Sequence, residues 1–173
     1  MAYDNMMVYG TPERADIGLP PSTWLHVEAT LGGERHWVKE EGDMFKELLA
    51  LLQPQCDIRE SFIITPFREV EKKLRSIMWS NYRDQFNMGS VGTVHTAQGQ
   101  EADVVIFVLG AGANESKGTR RWASEKVNLA NVAVSRAKHR LYVIGNHDTW
   151  SDCDYFKTIA TLLPRVNAIT DIR

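Results

Sequence analysis

An apolar run at positions 103–110, "DVVIFVLG", constrains the fold of this chain more than any other stretch. It is apolar at nearly every position, so it lacks the alternation of a strand with one face in water. Such a run predicts a strand that is covered on both faces, as strands of parallel sheets are. The run at 139–146, "HRLYVIGN", indicates a second buried strand. Together they favour an α/β sandwich with a mostly parallel sheet.

Strands and helices are predicted to alternate along the rest of the chain. Apolar residues recur at helical spacing after Glu40, where acidic side chains suit the helix dipole, and Pro66 is placed in the first turn of another helix. The segment at 111–122, "AGANESKGTRRW", is predicted to be a polar loop. The predicted strands are 23–29, 61–65, 90–95, 103–110 and 139–146, and the predicted helices are 40–53, 66–79, 128–138 and 155–163.

Length and composition indicate one globular domain. The chain has 173 residues, 43% of them hydrophobic, and a net charge of −2, so any basic surface for nucleic acid must be local. Cys56 and Cys153 lie far apart and are interpreted as free thiols of a reducing compartment. No membrane span or leader is evident, so we expect a cytoplasmic protein without a membrane partner. The expected organisation is an arm or linker at 1–22, a domain at 23–165 and a tail at 166–173.

Three polar motifs lie next to predicted strands, and we expect them to meet at the carboxyl edge of the sheet, where ligands gather in open α/β folds. They are "TPFR" after 61–65, "HTAQGQE" after 90–95 and "VSRAK" before 139–146. In "HTAQGQE", the backbone around Gly99 can cradle phosphate, Gln98 can hold phosphate or water, and Glu101 can accept from ribose hydroxyls. A polar connection in which Gly99 makes the turn explains the same residues equally well.

The other two motifs have a phosphate-binding and a structural interpretation each. Arg136 projects from an apolar helix and suits bidentate phosphate recognition. Alternatively, it forms with Lys138 and Arg140 a positive cluster that stabilises a helix C-terminus. The Thr65 hydroxyl beside an open helix N-terminus suits a phosphate contact, or "TPFR" is a plain strand-to-helix junction.

No motif in the chain supports independent hydrolysis of a nucleoside triphosphate. The pattern "GxxxxGK[ST]" does not occur, and "GAGANESKGT" at 110–119 has glycine and lysine at other spacings. There is also no acidic pair at a strand end to hold magnesium. Alone, the chain is not expected to use P-loop chemistry.

Taken in order, the three motifs resemble the second RecA-like domain of superfamily 1 DNA or RNA helicases, in the branch with Upf-type and senataxin-like proteins. "VGTVHTAQGQEADVVIFVLG" resembles motif V, "NLANVAVSRAKHRLYVIGN" resembles motif VI, and "FIITPFREV" resembles the strand and turn that precede them. The resemblance covers about residues 23–150. It implies a RecA-like three-layer sandwich, which is a P-loop NTPase-type fold lacking the P-loop.

The resemblance also implies roles for individual residues. Arg136 would be an arginine finger that reaches the γ-phosphate, with Gln98 as its catalytic companion. Glu101 and the Gly99 backbone would bind ATP together with Arg136. The expected nucleic-acid contacts are Thr65, Pro66, Arg68, His95 and Thr96. ATP and Mg²⁺ would be held mainly by a first RecA-like domain, which this sequence lacks; no metal ligand is assigned here.

Two positions depart from the helicase pattern. Ala97 stands where phenylalanine is frequent, which removes a packing or stacking contact, and Gln100 stands where lysine or arginine is common. The expected partners are the first RecA-like domain of a parent protein and single-stranded DNA or RNA. The chain is expected to be an excised C-terminal motor fragment, inactive alone. A helicase-derived binding or regulatory module without ATPase activity, and an unrelated nucleotide-binding α/β protein, remain open alternatives.

Overall fold

One parallel sheet organises the chain. The computed structural model describes residues 18–28, 34–87, 90–93, 101–112, 114–125 and 129–172. Within these ranges the sheet has six strands in the order β3-β2-β4-β5-β1-β6, and every pairing is parallel. The strands are β1 (Thr23–His26), β2 (Ser61–Thr65), β3 (Val91–Thr93), β4 (Ala102–Val108), β5 (Ala137–Gly145) and β6 (Arg165–Val166).

Helices cover both sides of this sheet. They are α1 (Lys39–Leu52), α2 (Arg68–Tyr82), α3 (Lys117–Glu125), α4 (Leu129–Arg136), α5 (His147–Trp150) and α6 (Asp154–Leu162). Helix α2 packs on β2 and β3, whereas α3, α4 and α6 pack against one another. The predicted α/β, RecA-like arrangement is thus confirmed. No helix in the described ranges is long and apolar enough to cross a membrane.

Strand β4 lies at the centre of the core, as its unbroken apolar run predicts. Val104–Val108 is fully buried, because β2 and β5 flank the strand and helices cover its faces. Phe107 contacts Phe156 of α6, and their ring centroids are 5.7 Å apart. The Phe156 ring also lies 4.9 Å from Trp150 and 6.4 Å from Trp24. This aromatic cluster fastens α5 and α6 to the sheet.

The segment predicted as a polar loop at 111–122 contains the start of helix α3, so that prediction is wrong for its second half. Ser116 Oγ accepts a hydrogen bond from the Thr119 backbone N–H at 3.3 Å and orders the first turn. Arg120 is buried and donates to the Gly112 carbonyl at 3.2 Å, and Ala123 packs in the core. Polar composition concealed a helix with a narrow buried face.

Other differences from the prediction involve α2, β5 and β6. Helix α2 begins at Arg68, because Phe67 is extended and buried and serves as the N-cap residue. Strand β5 begins at Ala137, two residues before the predicted start, so Lys138 belongs to the strand and not to the helix. Further along this strand, Arg140 Nε donates to the Pro20 carbonyl at 3.0 Å. Strand β6 pairs with β1 in a segment with no predicted strand, since two residues are too few to show periodicity.

Candidate functional site

The predicted site residues lie at two opposite edges of the sheet. Strand β2 ends at Thr65, on the carboxyl edge. Helix α4 ends at Arg136 directly before β5, and Glu101 directly precedes β4, so both lie at the amino edge. The expectation that all three motifs meet at the carboxyl edge is therefore wrong for "VSRAK". The physical reason is that a helix leading into a strand ends at the amino end of that strand.

Glu101 and Arg136 are brought together at the amino edge. Each precedes one member of the pair formed by Ala102 on β4 and Ala137 on β5. Paired residues of neighbouring strands are about 5 Å apart, so the backbones of Glu101 and Arg136, which directly precede such a pair, lie near each other. Glu101 Oε2 lies 3.7 Å from Lys138 Nζ, and both side chains are half or more exposed. An ion pair so exposed contributes at most about 1 kcal/mol, which leaves the Glu101 carboxylate able to accept from a ligand.

Arg136 carries an unsatisfied buried donor. Helix α4 packs into the core through Leu129, Ala130 and Ala133, and this packing fixes where its last residue lies. The Arg136 Nε is buried and has no hydrogen-bond partner in the part of the chain that the structure describes. Leaving a buried donor unpaired costs about 1–3 kcal/mol, so such a group calls for an explanation. An incoming acceptor at this edge would remove the cost.

The turn at the carboxyl edge is formed by residues 65–68. Thr65 is fully buried, and its Oγ1 accepts a hydrogen bond from the Phe67 backbone N–H at 3.4 Å. The hydroxyl therefore orders the turn. Pro66 is half-buried and Arg68 is exposed at the first residue of α2, so both side chains are accessible from solvent at this turn.

His36, which belongs to none of the three motifs, supports this turn from behind. The His36 ring stacks on Phe67 with centroids 4.2 Å apart, and its Nδ1 pairs with Glu115 Oε2. The His36 carbonyl accepts from the Ala111 N–H at 2.8 Å. These contacts link the turn to the segment that follows β4.

Glu41 is a buried acid that none of the three motifs includes. Its carboxylate is buried and accepts a hydrogen bond from the Gly110 N–H at 2.7 Å. Burial raises the pKa of Glu41 to about 8, and the charges of Glu40 and Glu115 add to the rise. Glu41 was interpreted as an acid that suits the helix dipole. Its spacing to Phe45 and Leu48 was the available signal, because it places Glu41 on the apolar face of α1.

Four predicted site residues lie outside the described residues, namely His95, Thr96, Gln98 and Gly99. Of the remaining predicted residues, the structure groups Glu101 with Arg136 at the amino edge. It groups Thr65 and Pro66 with Arg68 at the carboxyl edge. The motif "HTAQGQE" follows β3, which ends at the carboxyl edge, and finishes at Glu101 on the amino edge. It is thus the covalent link between the two halves of the site.

Two comparisons with known proteins bear on the family of this chain. A family model described as an AAA domain matches residues 24–148, which is more than half of the chain and includes both edges of the site. The chain is also similar to a protein named "Probable RNA helicase armi" from Drosophila melanogaster, at 29% identity over 62% of this chain. The aligned part spans only 9% of that relative's length. The chain therefore belongs to this AAA domain family, which is of the superfamily 1 helicase type.

Proposed function

We propose that this chain is the second, C-terminal RecA-like domain of an ATP-dependent DNA or RNA helicase. In this proposal it supplies Arg136 as an arginine finger to ATP held by a first RecA-like domain of the same parent protein. It also supplies part of the surface that binds a single strand. The family membership supports the general class, and the amino edge of the sheet supports the specific role.

The observation that carries the proposal is the buried Nε of Arg136, which has no hydrogen-bond partner among the residues that the structure describes. A guanidinium makes short, charge-assisted hydrogen bonds to phosphate oxygens, and its Nε–H is one of the donors of its fork. A γ-phosphate approaching the amino edge would provide the missing acceptor. The residues present therefore fit a triphosphate, and the donor is held in place before the ligand arrives.

Glu101 is proposed to act beside Arg136 on the sugar of the same nucleotide. Its carboxylate lies at the same edge, is largely exposed, and is held only by the weak pair with Lys138. Ribose hydroxyls are good donors to such a group. Gln98 and the Gly99 backbone, which precede Glu101 closely in sequence, are proposed to face the same phosphates.

ATP and Mg²⁺ are proposed to be held mainly by the first RecA-like domain, because this sequence contains no P-loop pattern. Mg²⁺ neutralises charge on the phosphates when it is bound. Among the residues that the structure describes, none form a group of three or more His, Cys, Asp or Glu suited to a metal ion. The contribution of this chain would then be Arg136, whose positive charge stabilises the negative charge on the transferred phosphate.

The two edges of the sheet suggest how ATP binding would be coupled to movement along single-stranded nucleic acid. Arg136 lies at the amino ends of β4 and β5, whereas Pro66 and Arg68 follow the carboxyl end of β2, which pairs directly with β4. Since these strands form one packed sheet, a cleft closure that moves Arg136 also moves the turn at 65–68. Closing and opening of the cleft between the two domains around ATP would thereby shift this domain along the single-stranded nucleic acid.

The proposal is tested by replacing Arg136 with alanine in the parent protein. Arginine fingers accelerate phosphoryl transfer about 10³–10⁵-fold in GTPases, so we expect a loss of kcat on that scale while the Kd for ATP changes only a few-fold. Arg165→Ala is the matched control, because it removes a guanidinium that pairs with Asp148 at the far end of the sheet. Normal turnover of Arg136→Ala would reject the arginine-finger assignment.

The alternative that the chain is a binding or regulatory module without ATPase activity predicts a different result. In that case Arg136→Ala and Arg165→Ala would both leave hydrolysis unchanged. The buried Nε favours the motor role, because a module that never meets a phosphate gains nothing from keeping that donor unpaired.

A further inference from the structure

Helix α2 presents a face of cations around one exposed tryptophan. The helix buries Val70, Leu74 and Met78. At 3.6 residues per turn, the side chains of Arg68, Lys72, Arg75 and Trp79 fall within about 60° of one another, and their centre lies about 130° around the helix from the centre of the three buried residues. We call this group, together with Arg83, the α2 face. It follows the proposed nucleic-acid turn directly and extends about 22 Å along the domain.

The tryptophan at the end of this face is unusually exposed. Trp79 has 51% of its surface accessible, and it is one of three large hydrophobic side chains that are exposed in the described ranges. The Arg83 guanidinium lies over its ring, with Cζ 4.7 Å from the ring centroid. An indole and a guanidinium are both planar groups on which nucleobases stack. The pair is therefore a ready platform for a base.

Lys72 of the α2 face can exchange its partner for phosphate, whereas Arg75 is held within the domain. Lys72 pairs with Glu69 on the same helix at 3.2 Å, and both are exposed, so the pair contributes little and can be exchanged. Arg75 pairs with Glu71 at 2.9 Å and donates to the Val91 carbonyl, which fixes it against the edge strand β3. Since the whole chain has a net charge of −2, this local excess of positive charge is where a polyanion would be attracted.

We propose that the α2 face binds single-stranded nucleic acid and continues the path that begins at Pro66 and Arg68. This rests on the proposed function. Lys72 and Arg68 would contact the phosphate backbone, and a base would stack on Trp79 beside Arg83. A single strand fits better than a duplex, because a duplex offers only phosphates and leaves the indole unused. It also fits better than a protein partner, since one isolated aromatic ring among cations is a small apolar anchor.

The test measures binding of the parent protein to fluorescein-labelled oligo-dT and oligo-U of increasing length, with fluorescence anisotropy at several salt concentrations. Loss of one base stack predicts that Trp79→Ala weakens binding of long oligonucleotides about 5- to 150-fold. Trp79→Phe should retain most of the affinity. Lys72→Ala should lower the slope of log K against log salt by about one. Trp122→Ala on α3 is the matched control, because that tryptophan is 50% exposed elsewhere and should bind like wild type.

Length dependence separates the α2 face from the turn. Oligonucleotides too short to extend past Arg68 should bind Trp79→Ala and wild type equally, whereas long ones should not. If wild type binds no single strand of any length, the nucleic-acid part of the proposed function fails. If wild type binds and both Trp79→Ala and Lys72→Ala match it in affinity and salt slope, the α2 face is not a binding site and the proposed function stands. If Trp79→Ala lost binding to a protein partner while its binding to single-stranded oligonucleotides was unchanged, the inference would also be overturned.

Discussion

Replacing Glu41 with glutamine tests whether a buried acid controls the pH dependence of stability. The carboxyl group is enclosed beneath the segment that follows β4 and accepts from the Gly110 N–H. Glutamine has nearly the same shape, and its side-chain oxygen can accept the same hydrogen bond. It cannot ionise, however, so the replacement removes only the titration.

The magnitude follows from the pKa of Glu41, which burial raises from 4.5 to about 8. Because the folded state favours the protonated form, stability is complete below the unfolded pKa and is lost as pH rises through the folded pKa. Each pH unit between the two values removes about 1.4 kcal/mol from the free energy of unfolding. The ionisation penalty therefore grows by about 4 kcal/mol between pH 5 and pH 9.

The assay is urea unfolding of wild type and Glu41→Gln at pH 5, 7 and 9. We expect the difference in unfolding free energy to move by about 4 kcal/mol in favour of the variant across this range. Any constant offset from the buried glutamine amide cancels in that comparison. Glu40→Gln is the matched control, since Glu40 is exposed in the same turn and its replacement should change the difference little. Parallel pH profiles for wild type and Glu41→Gln would refute a buried, titrating carboxyl group.

Two further outcomes are expected. Gly110→Ala should lower the unfolding free energy by about 2–4 kcal/mol in urea unfolding, because Gly110 has φ +67° and a Cβ there would lie 2.8 Å from the His36 carbonyl oxygen. Gly118→Ala, on a helix where the added Cβ would meet only Ser116 Oγ at an ordinary contact distance of 3.6 Å, should be neutral or slightly stabilising, and equal effects at both positions would contradict the strain argument. Isothermal titration of the 173-residue chain with ATP should show very weak binding, as half of a composite site must. Tight binding would instead support an independent nucleotide-binding protein.

The sequence predicts the framework well because strong patterns coincide with buried elements. The run from Val104 to Leu109 could only be a central strand, and β4 is flanked by β2 and β5. By contrast, α3 hides its small buried face behind polar residues such as Arg120, and β6 is too short for any pattern. These elements are specified by tertiary contacts, which no local window contains.

The site shows the same division. The residue types around Arg136 predict a phosphate-binding role for the edge of the sheet at which the motif lies. Which edge this is depends on the direction of the chain, and the expectation placed the motif at the carboxyl edge, whereas it lies at the amino edge. The contact between His36 and Phe67 joins residues distant in sequence, so no motif reports it. The platform of Trp79 and Arg83 was hidden for another reason, since an isolated tryptophan is more often a packing residue.

The central claim, that Arg136 is the arginine finger of a composite ATP site, is tested most directly by a structure of the parent protein. The complex should contain a single strand, ADP, Mg²⁺ and a metal fluoride that mimics the γ-phosphate. We expect nitrogen atoms of the Arg136 guanidinium, including Nε, to lie about 3 Å from the mimic, with Glu101 at the ribose. A different arginine at the mimic, with Arg136 facing away from the nucleotide, would contradict it.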